Sequence, residues 1–287
     1  MLPCLLVAAV LGAPAVESPD DRTLSFRPFF SISALEFELE AESGETLRYA
    51  PNSPLNLGLA VDYGGFGGSV SFAVDRVEDD DTHGDTDALD WSLYWYGEHW
   101  AVDFYLQVYE GLFAELGEGA CDAAPSPNCA IQPDAEVSRL GATVAYLFDP
   151  AFSLRAAFVQ SAWQRRSAGS WLLLASADRV RFVVDGVNGI AMTGGTLGGG
   201  YGHLWVSEGG WFVAPIVLLG LGPVRAEGLE TGWHLGRKAT VKVGTGYNGP
   251  AFHTGMNAYA DAPGVTLEGE DLTWTSLYVE LYVGYRL

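Results

Sequence analysis

Five histidines, at His83, His99, His203, His234 and His253, are the natural general bases of this sequence near neutral pH, so a hydrolytic reading has to use one of them. His203 and His253 fall inside alternating apolar segments, with Ser161, Ser207 and Asn257 as company for a Ser–His–Asn arrangement that would cleave lipid esters. No Gly-x-Ser-x-Gly motif and no Ser/His pair on one parity of one segment supports that chemistry, and the simpler reading is of histidines lining a wall. A second constellation, "EDDDTHGDTDALD", spaces Asp79, Asp81, His83, Gly84, Asp85, Asp87 and Asp90 partly like a calcium loop. Its fifth position is His, its twelfth is Asp rather than Glu, and no helical pattern flanks it. It reads as a solvated acidic loop, with Asp79, Asp81 and Asp85 free to hold a surface divalent cation, and no other cofactor is expected. Two polar motifs remain. In "YAPNSP", Tyr49 and Asn52 belong to a rigid turn leading into a strand. In "RRSAGS", Arg165, Arg166 and Ser170 either receive an anionic group or fix a loop, and fixing is the favoured role.

The elements that must position these residues alternate strictly. In "HWAVDFYLQVYEGLF", Trp100, Val102, Phe104, Leu106 and Val108 oppose Ala101, Asp103, Tyr105, Gln107 and Tyr109, as on a strand with one apolar and one polar face. The pattern recurs at 55–63, 66–75, 91–95, 140–148, 152–158, 241–247 and 273–287. Connections come in two sizes. Short turns fall at Gly64–Gly65, Gly97–Glu98, Asp149–Pro150, Ser207–Gly210 and Asn248–Pro250, and long polar loops at 42–54, 77–88, 114–134, 164–195, 225–236 and 261–271. Counting hairpins back from Leu287 gives twelve strands starting near Leu24, with fourteen as the alternative. Residues 169–184, "GSWLLLASADRVRFVV", break the parity: they are a hairpin extension, an inward plug, or a barrel strand displacing another assignment.

At 287 residues, with 48% hydrophobic residues, 13% aromatics and 36 glycines, the chain suits short strands and tight turns more than helices. A formal charge of −21 argues against a nucleic-acid partner, which needs basic clusters. Residues 1–16 read as a secretory leader ending in the small residues of "GAPA", although no Lys or Arg precedes the apolar run, so the true start is open. Cys4 would leave with it. Cys121 and Cys129 then flank a Pro-rich polar insert and read as a small disulfide loop outside the sheet.

Lipid, rather than a second packed sheet, accounts best for the apolar face. Aromatics gather near strand ends on that face (Trp91, Trp95, Trp100, Trp274, Tyr63 and Tyr285), as in interfacial girdles. The opposite parity carries Asp62, Asp103, Gln107, Arg139, Arg155, Lys238, Lys242, Glu280 and Arg286, too many charges for a dry core but acceptable in a wet lumen. A sheet in lipid must close, so residues 22–287 are expected to form a transmembrane antiparallel up-and-down β-barrel. Alternating short and long links put the short turns in the periplasm and the long loops outside. The charged lumen residues either plug the centre or line a narrow, charge-selective pore.

"RYAPNSPLNLGLAVDYGGFGGSVSF", "LDWSLYWYGEHWAVDFYLQVYEGLF", "QRRSAGSWLL" and "GGGYGHLWVSEGGWFVAPIVLLGLG" together resemble the domain-of-unknown-function family numbered 4421, over most of residues 45–225. The resemblance implies an outer-membrane barrel and brings no activity with it. Leu287 departs from the aromatic end usual in such barrels, leaving the signal for the barrel-assembly machinery to Tyr282 and Tyr285. The expectation is a monomeric barrel in contact with outer-membrane lipid and lipopolysaccharide, acting as a structural body, narrow pore or small-ligand binder. A surface lipid-modifying hydrolase is the alternative.

Overall fold

The computed structural model describes residues 16–17, 24–40, 43–52, 54–76, 83–117, 120–121, 126–184, 189–228, 232–267 and 270–287. The predicted leader, residues 1–16, lies outside them except for Val16. Twelve antiparallel strands close into one ring: β1 (Leu24–Glu40), β2 (Pro54–Tyr63), β3 (Phe66–Arg76), β4 (Asp87–Tyr96), β5 (Trp100–Leu116), β6 (Cys129–Leu147), β7 (Ala168–Val183), β8 (Ile190–Val206), β9 (Trp211–Glu227), β10 (His234–Asn248), β11 (Phe252–Leu267) and β12 (Glu270–Arg286). Closure runs through Asp271↔Glu40 to Arg286↔Ser25, so β12 pairs with β1 along nearly its whole length and neither strand offers a free edge.

The strand count agrees with the alternation, but two segments exchange roles. Residues 152–158 alternate like a strand and are not one. They belong to a segment, 148–167, that turns back into the lumen and carries a single π-helical turn, Arg155–Val159. Residues 169–184 form barrel strand β7, paired with β6 and β8. The parity signal fails there for a physical reason: Trp171 and Leu173 face outward while Leu172 and Leu174 are buried inside, Leu172 against the inserted segment, so both faces are apolar. The link at 261–271 is also no long loop, because β11 and β12 run on to pair Leu267 with Glu270.

"YAPNSP" leads into β2, which Pro54 opens, but Tyr49–Pro51 are themselves strand. Thr46–Pro51 is a short strand that pairs with β1 on one side and with β5 on the other, across the ends of the shorter β2, β3 and β4. At that end one strand stands in for three, and the ring tapers. Barrel diameter grows with strand number, so the taper brings opposite walls close enough for side chains to meet.

Polarity inverts along the strands. Near the short turns and through the middle, outward residues are apolar and exposed, as with Phe30, Leu57, Phe104, Leu219 and Leu281, and inward ones are polar. Towards the long loops, outward positions become Glu36, Glu110, Arg179 and Arg237, while Leu35, Phe37, Val180, Phe182, Leu272 and Trp274 turn inward and are buried. Lipid therefore meets the first zone, and the second is built like a water-soluble barrel. Trp274 accordingly belongs to the interior and not to an aromatic girdle; Tyr63, Trp91, Trp100 and Tyr285 do face outward.

Cys121 and Cys129 form the expected disulfide, but not wholly outside the sheet: Cys129 is the first residue of β6 and pairs with Glu115 of β5. The two cysteines pack against Phe113 and Ala50, and Cys121 N donates to Glu115 Oε2 at 3.3 Å. Arg48 bridges Glu115 and Glu36, 2.6 Å from each. Partial burial opposes the Arg48 charge, but its bonds to the two carboxylates outweigh that and hold the guanidinium above its usual range. With a separation of 8 residues, the loop-closure entropy amounts to about 2.5 kcal/mol. Converting both cysteines to serine is expected to speed protease nicking within 117–129 by roughly fifty-fold and leave the barrel's heat-modifiable migration unchanged.

Candidate functional site

The lumen is organised in three levels. At the short-turn end the inserted segment 148–167 packs Phe152, Leu154, Ala157 and Val159 against inward residues of the wall, including Leu147, Leu204 and Ile216. Polar staples hold it. Arg286 donates to the carbonyls of Gln160 and Gly249 and to Asn248 Oδ1. Arg27 reaches Phe158 O at 2.6 Å, Asn257 reaches the same carbonyl at 3.0 Å, and Asn248 Nδ2 donates to Ala162 O at 2.9 Å. Gln160 has φ 52, a left-handed conformation uncommon for a residue other than glycine, and it follows directly on the π-helical turn. Val16–Glu17 pairs with Trp163–Gln164, so chain preceding the barrel also lies on this plug.

The middle level is polar, with a cavity of about 260 Å³. Two ionic groups stand in it. Arg139, almost fully buried, lies 2.6 Å from Asp261 and 3.3 Å from Asp178, and Lys238 lies 3.2 Å from Asp178 and 3.4 Å from Asp261. Tyr105 OH also donates to Asp178, and Thr240 to Asp261 at 2.7 Å. Each charge of this tetrad has two opposite neighbours, which is what a desolvated charge requires. The second group is Glu280, which takes Asn257 and Tyr278 at 2.7 Å each and lies 3.4 Å from Arg27. Asp103 accepts from Tyr96 OH at 2.5 Å. Lys242 lies over the Tyr259 ring, 5.2 Å from its centroid.

The third level is apolar. Leu35, Phe37, Val137, Val180, Phe182, Leu272 and Trp274, with others from β4, β5, β8, β9 and β11, form one continuous cluster across the tapered end, onto which Tyr49 packs. Phe37 and Phe182 stack at 5.4 Å and Tyr49 meets Phe182 at 4.7 Å.

Of the charged residues assigned to the lumen by parity, Asp62, Asp103, Arg139, Lys238, Lys242, Glu280 and Arg286 are on inward strand positions. Arg155 is inside as well, but on the plug, where it bonds Ser161. Sequence reading missed Arg27, Asp178 and Asp261; the last two fell in stretches read as loops. Asp90, placed at the end of the calcium-like spacing, points into the lumen and accepts from Tyr109 at 2.9 Å and Gln107 at 3.0 Å. Asp79 and Asp81 lie outside the described residues. Asp85 is exposed, and among the described residues no group of three or more His, Cys, Asp or Glu could hold a metal ion.

The two polar motifs sit at opposite ends. Asn52 bonds Gly84 O at 2.7 Å and takes Thr86 Oγ1 at its own N–H, tying the short bridging strand to the chain entering β4. Ser170 Oγ accepts from Asp149 N at 2.9 Å, anchoring the start of the plug, while Arg165 and Arg166 are exposed there. The hydrolytic candidates are scattered. His203 faces outward between Tyr201 and Trp205, and Ser207 caps a turn through Trp211 N. His253 is buried inside, and Ser161 and Asn257 are committed to Arg155 and to Glu280 with the plug.

A ring of twelve strands with an apolar outer belt, a polar interior and a folded-in segment defines a plugged transmembrane β-barrel. The chain belongs to the family described as Domain of unknown function (DUF4421), whose model matches residues 16–287. A search of curated proteins found no match. Similar solved structures include the beta domain of the Bordetella autotransporter BrkA (12% identity, 89% of this chain and 98% of that one, TM-score 0.44). The outer membrane protease OmpT from Escherichia coli is similar at 8% identity, over 94% of this chain and 98% of that one, with a TM-score of 0.43. The translocator domain of autotransporter NalP from Neisseria meningitidis is similar at 9% identity, over 91% and 88%, with a TM-score of 0.44. Likeness at this level bears on neither activity nor ligand.

Proposed function

We propose that this chain is a bacterial outer-membrane protein working as a closed, non-conducting barrel, with its short turns and plug on the periplasmic side and its tapered end outside the cell. The observation that carries this reading is the double closure: a stapled plug below and a continuous apolar layer above. A porin-like role needs a wet path through the lumen, and hydrophobic constrictions oppose one by dewetting even where a geometric gap remains. The cavity between the two levels is the place for a small solute, and Lys242 and the tyrosine hydroxyls along its wall are the groups that would hold it. A complete ring has no edge to pair, which supports a monomer, and the C-terminal strand with Tyr282 and Tyr285 is what the barrel-assembly machinery would engage. Divalent cations at the acidic loop and contact with lipopolysaccharide belong to the same reading.

Purified mature chain is expected to need detergent or lipid to stay monodisperse, to migrate faster unheated than boiled, and to show no current steps in planar bilayers. Monodisperse folding in plain buffer would remove the membrane assignment. Regular steps at modest voltage would remove the closed-barrel one.

A further inference from the structure

Just above the outer apolar belt, the first charged outward residue differs from one side of the barrel to the other. It is Glu36 on β1, Asp87 on β4 and Glu110 on β5, but Arg179 on β7, Arg225 on β9 and Arg237 on β10. In a chain with 15 basic and 36 acidic residues, this is a concentrated use of positive charge. The register shows why it matters. Thr193 on β8 pairs with both Arg179 and Arg225, and Ala191 pairs with Arg181 and Glu227. Strands lie ~4.8 Å apart, so Arg179 and Arg225 stand ~10 Å apart across a strip of small side chains, over which long guanidinium groups can converge on one anion.

These arginines are available. Among the described residues Arg181 and Arg225 have no hydrogen bond or ion pair, and the Arg179–Glu227 and Arg237–Asp271 contacts are long, 3.8 and 3.6 Å, between half-exposed groups. Exposed pairs of that kind hold little energy. Directly below, the same face has an outer groove of about 560 Å³ between Leu197, Leu219 and Leu221, floored by Ala239 and Ala262, with Arg237 at its rim. An anion site immediately above an apolar groove, at the depth where the surface stops being apolar, matches one ligand chemistry: a phosphate ester joined to an acyl chain.

We infer that the β7–β10 face binds an anionic, phosphate-bearing lipid of the outer leaflet, its phosphate between Arg179 and Arg225, which share Thr193 as partner, and an acyl chain in the groove, where Arg237, paired with Leu221, adds positive charge at the rim. The inference rests on the membrane reading above. The test is native mass spectrometry of the full mature chain released from micelles containing phosphatidylglycerol or phosphatidylcholine with identical chains. Wild type is expected to retain the anionic lipid preferentially, with roughly a fivefold loss per arginine removed, so that Arg179→Gln/Arg225→Gln/Arg237→Gln treats the two lipids alike. Glu36→Gln/Glu110→Gln should keep the preference. Heat-modifiable migration reports folding of each variant, and Arg225→Gln alone, with its fivefold loss, serves if the triple variant does not fold. Equal retention of both lipids by wild type, or a preference unchanged in a folded arginine variant, overturns the proposal. Loss of the preference on adding millimolar inorganic phosphate identifies a free-anion site and overturns it too. A wild-type chain that never folds in lipid would instead sink the membrane reading itself.

Discussion

Excising residues 151–166 and joining the ends with a short Gly–Ser turn is expected to leave the barrel closed, and only the further change Phe37→Ala/Phe182→Ala to produce current steps in planar bilayers. The two barriers are in series and differ in kind. The lower one is a folded peptide segment held by Arg27, Arg286, Asn248 and Asn257 through backbone carbonyls, so deleting it frees those donors to face water once the space is wet. The upper one needs no peptide. It is a disc of inward side chains made possible by the taper, and its centre is the stack of Phe37 on Phe182 with Tyr49 against it. Removing two buried phenyl rings costs about 3–5 kcal/mol each, which the closed ring of backbone hydrogen bonds should tolerate. Heat-modifiable migration tells a folded variant from a failed one. Steps from the plug deletion alone would show that the apolar disc does not seal, and steps from wild type would show that neither level does.

How much of this was legible follows from what the interior is made of at each level. Where the lumen is wet and ionic, period two is clean: Asp103 and Gln107 against Val102, Phe104 and Leu106 place β5 without ambiguity. Where the interior is apolar, period two disappears. Leu172 and Leu174 pack inward and Trp171 and Leu173 face lipid, so β7 reads as an uninterrupted greasy run. Phe152, Leu154 and Ala156 alternate with Arg155 and mimic a strand, yet all are buried in a plug whose own surroundings are apolar below and polar above. Inversion of polarity near the long loops has the same effect on Leu35, Phe37 and Trp274. Tertiary surroundings also decide the candidate site: Asp178 and Asp261 acquire a role only when ring closure brings β6, β7, β10 and β11 to one height, and no spacing along the chain shows that.

Arg139→Met is expected to be the most damaging single exchange in the wall, costing about 3–5 kcal/mol and lowering the urea midpoint of unfolding from lipid vesicles. The tetrad Arg139, Asp261, Asp178 and Lys238 balances two positive and two negative charges away from water. Taking out Arg139 leaves two carboxylates sharing one ammonium, and the uncompensated charge is the source of the cost rather than the lost contact. Arg139→Met/Asp261→Leu removes one charge of each sign and leaves Lys238 and Asp178 paired at 3.2 Å, so the double variant is expected to recover most of what the single loses. Thr240 then loses its acceptor, a neutral hydrogen bond worth about 1 kcal/mol, which bounds the recovery from above. A double variant no more stable than Arg139→Met would mean that packing around the guanidinium, including its place 4.9 Å over the Tyr105 ring, outweighs charge balance in this lumen.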